Sequence, residues 1–146
     1  MRTRSEKGAA LLEAAITIPI LLLIAVGIFE FGRAYQTWQV LTNAAREGAR
    51  VAVLPDPTAG IPEQRVRDYL EAGGLKYTAD DDVVVDVNDS DTITVNGAPV
   101  SASHVTVDYP FEFMVIGGVV KLISPQSELG GDLTMRAEAV MRNENQ

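Results

Sequence analysis

Cysteine is absent from the 146 residues, so no disulfide or thiol chemistry is available and the fold rests on its own core or on partners. Histidine occurs once, at His104. Ser101 and Ser103 lie near it, but nothing in their spacing supplies the carboxylate-supported base that a hydroxyl nucleophile needs. No glycine-rich phosphate loop is present either, so the sequence offers neither catalytic machinery nor a cofactor site. Basic residues are in short supply: 12 Lys and Arg stand against 20 Asp and Glu, for a net charge of −8. The deficit is uneven, with six basic and four acidic residues through Leu54 and six against sixteen from Pro55 onward. An acidic outer portion repels polyanions, which excludes nucleic-acid binding.

What the chain does have is one long apolar stretch, Gly8 to Phe31. The uncharged part, Ala14 to Phe29, is sixteen residues, or about 24 Å of helix, short of a hydrocarbon core of roughly 30 Å. A span therefore begins near Ala9 and takes in Glu13. A carboxylate there costs about 2.5 kcal/mol or more unless paired or protonated, which makes Glu13 a functional candidate. The plainer alternative is a boundary residue reaching back to the headgroups of an ordinary signal anchor. Arg2, Arg4 and Lys7 precede the span and predict a cytoplasmic N-terminus; Arg33, Arg46 and Arg50 beyond it weaken that bias. A removable secretory signal is the rival reading, with Ala25-Val26-Gly27 as a small-x-small cleavage site. Glu13 and the unbroken helical pattern through the cut speak against it.

The basic leader ending in Gly8, the small Ala9, and Glu13 as the fifth residue after Gly8 resemble the class III signal of type IV pilins and pseudopilins. The run from Glu30 to Val53, EFGRAYQTWQVLTNAAREGARVAV, resembles more narrowly the TadE-like family, minor pseudopilins of tight-adherence (Flp) pilus systems. Asp108 to Phe111 and Ala137 to Arg142 are fainter echoes of the same family. The resemblance implies cleavage by a prepilin peptidase between Gly8 and Ala9, and a Glu13 that sets subunit register by pairing with the terminal amine of a neighbour. It also implies the partners: the peptidase, the Flp major pilin, other minor pseudopilins, and an inner-membrane pilus platform driven by a cytoplasmic ATPase. Ala14 departs from the pattern, where Flp major pilins carry Tyr and many TadE-like chains Phe, and this argues against the filament's bulk subunit.

Beyond the span the helix is expected to continue to Leu54, where Pro55, Pro57 and Gly60 end it. Ala34, Trp38, Leu41, Ala45, Gly48 and Ala52 recur at three- and four-residue spacings and mark a packing face of mostly small residues. Tyr35 and Trp38 stand where aromatic residues mark a membrane interface. Asn43, Arg46 and Arg50 form another side, a solvated face or a subunit contact, with Glu47 in reach of Arg50. Pro62 suits the first turn of a second helix bearing Val66, Tyr69 and Leu70, stopped at Gly73-Gly74. Val83 to Val87, Thr92 to Val95, and Val105 to Tyr109 are β-prone, and Asn96-Gly97 predicts a hairpin; Leu133 to Met141 alternates as a strand. Phe111 to Ile123 is too short and too broken by Gly117-Gly118 to span a bilayer, so it is core beneath the sheet or an exposed apolar loop. The acidic run Asp80, Asp81, Asp82, Asp86, Asn88, Asp89 and Asp91 offers calcium-type oxygens, but Asp91 stands where a calcium loop needs glycine and Gly97 where it needs glutamate. A solvated turn is the alternative.

The fold expected is α+β: a leader at 1–8, a transmembrane helix at 9–31, its extracytoplasmic extension at 32–54, and a small head at 55–146 with an antiparallel sheet. In pilin terms the helix is a spine. An exported ligand- or ion-binding domain on a plain signal anchor is the competing reading.

Overall fold

A computed structural model describes residues 2–54, 60–76, 83–123 and 133–143. The elements run α1 (Arg2–Ala52), α2 (Ile61–Ala72), β1 (Val84–Val95), β2 (Ala98–Phe111), α3 (Ile116–Ile123) and β3 (Leu133–Arg142). α1 is a single helix of 51 residues that passes through Pro19. It is long and apolar enough to cross a membrane, and no residue of the most apolar window within it is buried. The helix stops two residues before the expected Leu54. Val53 still donates to the Ala49 carbonyl, but Leu54 donates to Val51, a tighter turn that closes the element.

The chain divides into two compact units, Met1–Arg33 with Phe113–Gly131, and Ala34–Glu112 with Asp132–Gln146. The second holds the α+β core. Its sheet is antiparallel in the order β1-β2-β3, so β2 is central and the longest strand pairs on both edges. Asn96 (φ 52°) and Gly97 (φ 83°) both adopt positive φ, the conformation a two-residue hairpin turn demands, and Val95 pairs with Ala98 across it. Leu41, Ala44, Ala45, Ala49 and Ala52 of α1 pack with Val66 and Leu70 of α2 and with Val105, Val107, Ala137 and Ala139 of the sheet. Gly48 makes the close approach possible, because a Cβ there would collide with Cγ2 of Val66. α2 begins after Gly60 with Pro62 in its first turn. It ends as expected at Gly73-Gly74, in a Schellman closure where Leu75 donates to Leu70 and Gly74 to Glu71.

Two expectations need correction. Trp38 is not part of the small-residue packing face: it is 47 % exposed, while Leu41, Ala45, Gly48 and Ala52 are buried. The apolar run after Phe111 is not core beneath the sheet. Phe111 is buried at the end of β2, but from Phe113 onward the chain joins the first unit, where Ile116–Ile123 is helical. Pro55 and Pro57, invoked as breakers, lie outside the described residues.

Candidate functional site

The first unit carries the residues for which the resemblance implies processing and register. Gly8, Ala9 and Glu13 are all exposed on α1, and a side chain at Gly8 would meet open space among the described residues. Ala14 beside them is half-buried.

Farther along the same unit lies a residue that no sequence pattern singles out. Glu30 is 1 % exposed, accepts a hydrogen bond from the Val115 backbone N–H through Oε1, and pairs with Arg33 at 3.2 Å. Val115 immediately precedes α3, so this carboxylate satisfies an amide at a helix start that has no intrahelical partner. Glu30 was legible only as the first charge after the apolar run; its partner is 85 residues away.

In the second unit, α1 presents Tyr35, Trp38, Asn43, Arg46 and Arg50. At ~100° per residue Tyr35, Asn43, Arg46 and Arg50 fall within about 80° of one another, and Trp38 lies about 60° from Tyr35 on the flank nearer Leu41. Tyr35, Trp38, Arg46 and Arg50 are exposed and Asn43 is half-buried. The Tyr35 and Trp38 rings lie 6.4 Å apart in a tilted arrangement, and Gln39 donates to the Tyr35 hydroxyl at 2.7 Å, which fixes the aromatic end of the stripe. Asn43 also borders a groove with Gln36, Gln39, Val40 and Tyr69. Glu47 does not pair with Arg50 as its spacing suggested. It accepts two hydrogen bonds from Arg65 of α2, at 2.8 and 3.1 Å, and this pair holds its carboxyl below the usual range, with Arg50 adding a weaker pull. Arg46 and Arg50 remain at the surface.

The acidic residues of β1 are not gathered into a pocket. A bulge interrupts the β1–β2 register between Asn88 and Asp91, and local bonds occupy the side chains around it. Asn88 accepts from the Ser90 N–H, Asp89 from the Ser90 hydroxyl, and Asp91 from the Thr92 N–H while lying 3.5 Å from His104. Asp86 is exposed. Among the described residues no three His, Asp or Glu side chains come together as a metal site, and Asp80, Asp81 and Asp82 lie outside them. Ser103 is fully buried, donating to Asn143 Oδ1 at 2.8 Å and lying 3.3 Å from the Ala52 carbonyl. Asn143 in turn donates to Ser101 and to the Asp89 carbonyl, so the two serines knit the sheet edge to the end of α1.

Residues 8–50 match the model of a family described as TadE-like protein, which bears out the resemblance read from Gly8, Glu13 and the run through Arg50. The match stops short of the fainter echoes at Asp108–Phe111 and Ala137–Arg142. No curated protein and no solved structure matches the chain.

Proposed function

From a chain whose residues 8–50 are TadE-like, we propose a minor pseudopilin of a tight-adherence pilus, an assembly subunit and not an enzyme. In this reading a prepilin peptidase removes 1–8, the mature N-terminus begins at Ala9, and 9–31 crosses the inner membrane once, with the head outside the cytoplasm. The observation that carries it is the family match beginning at Gly8, with an exposed glutamate five residues on, inside a helix of membrane-spanning length. A carboxylate in that setting is stabilised when a cation is brought to it, and the amine of a neighbouring mature subunit supplies one. Glu13 then fixes the axial position of one subunit on the next. The stripe of Tyr35, Trp38, Asn43, Arg46 and Arg50 supplies lateral contacts to the Flp major pilin, to other minor pseudopilins or to the membrane platform.

Replacing Glu13 tests the reading. Glu13→Gln and Glu13→Ala are expected to leave the protein in the membrane fraction at normal abundance while surface pili, counted by shearing and immunoblot, are lost. Normal piliation with either variant would sink the register role and favour a plain anchor.

A further inference from the structure

Pilus assembly gives no task to the apolar segment 113–123. α3 carries one charge, Lys121, placed in its last turn where it complements the carbonyl end of the helix. Met114, just before α3, is 68 % exposed. Val115, Ile116 and Val120 line a groove together with Pro19, Leu22, Leu23 and Val26, and among the described residues no polar side chain lines it. Pro19 is the midpoint of the stretch Ala9 to Phe29. Leu22 and Leu23 are 60 % and 65 % exposed. Whatever medium surrounds them also surrounds the α3 side chains that share their groove.

Resting on the reading of 9–31 as a membrane span, we propose that residues 113–123 are a second lipid-immersed element. α3 lies against the span in the leaflet on the Glu30 side, and phospholipid acyl chains fill the groove. Eight residues make about 12 Å of helix, within the roughly 15 Å depth of one leaflet. Hydrocarbon offers no water to a helix start, and an amide left bare there is costly. Glu30 answers that need: it is buried, it accepts the Val115 N–H, and Arg33 balances its charge. Hydrocarbon is favoured over a water-filled groove because the lining side chains among the described residues are all apolar and give water almost nothing to bond.

The test uses the full chain in vesicles of phosphatidylethanolamine and phosphatidylglycerol. With no native cysteine to remove, Met114→Cys and Val120→Cys each take a single nitroxide label, with Leu23→Cys as the span reference and Glu71→Cys on α2 as the water reference. Collisions with dissolved oxygen report lipid, and collisions with a water-soluble nickel chelate report water. The labels at 114 and 120 are expected to follow the one at 23, with oxygen exceeding nickel and the order reversed at 71. Nickel exceeding oxygen at 114 and 120 but not at 23 would overturn the proposal and leave the span intact. Nickel exceeding oxygen at all three would overturn the span as well. Few collisions with either reagent at 120 would mean that protein, such as the apolar helix of a second copy, covers the groove, and that too refutes lipid immersion.

Discussion

Gly48 shows how one missing methyl group sets the distance between elements. Alanine is the better helix former by up to about 1 kcal/mol, so a helix considered alone would gain from Gly48→Ala. Here the added Cβ meets Val66, and overpacking of a closed core costs roughly 1–3 kcal/mol. The packing effect wins, so Gly48→Ala is expected to lower the melting temperature of the full chain in detergent, and Gly48→Val to lower it further. An unchanged or raised melting temperature for Gly48→Ala would mean that α2 yields at no cost. Asp108 gives a second residue-level prediction. Arg136, directly opposite it on β3, donates two hydrogen bonds at 2.7 and 2.8 Å and holds the Asp108 carboxyl below its ordinary value of 3.8. A depressed folded pKa adds stability that is fully present above the unfolded value and is lost as pH falls through the folded one. Below about pH 4 the wild type should therefore lose urea resistance faster than Asp108→Asn, which has no such charge to protonate. Parallel acid profiles for the two proteins would show that the pair carries no stability.

Among the elements, the ones set by local chemistry were legible in the sequence. The hairpin was announced by Asn96-Gly97, since few other pairs tolerate positive φ at both positions. α2 was framed by Pro62 and Gly73-Gly74, and β3 by alternation that the burial of Ala137 and Ala139 bears out. Contacts between distant residues were not legible. Helical spacing assigned Glu47 to Arg50, but the geometry gives it Arg65, 18 residues on. Spacing also put Trp38 on the packing face, because periodicity registers that a residue is apolar and not that its neighbours leave room only for alanine and glycine. Glu30 and Val115, just before the helix at 116–123, meet across 85 residues of sequence, and no local pattern could connect them. The exposed stripe of α1 yields a prediction of its own. Arg46→Glu with Arg50→Glu alters surface charge away from the core, where substitutions usually move stability by no more than ~0.5 kcal/mol. The double variant is expected to keep the wild-type melting temperature while reducing incorporation into sheared pili. Normal incorporation would show that the stripe is a solvated face.

For the molecule as a whole, charge follows organisation. The segment through Leu54 is slightly basic and the remainder strongly acidic, as suits a chain with an anchoring end and a solvated end. The family match falls on the anchoring end, and residues 51–146 lie beyond it. In the proposed reading, the pilin-like role rests on the helix that carries this match. That assignment turns on whether the chain is handled as a pilin before anything else happens to it. The direct measurement is the N-terminal sequence of the mature protein, isolated from membranes of a host that carries its own prepilin peptidase. The account predicts a start at Ala9, which exposes a new amine four residues before Glu13. A protein that keeps Met1, or one that begins near Ile28 and is soluble, would contradict it.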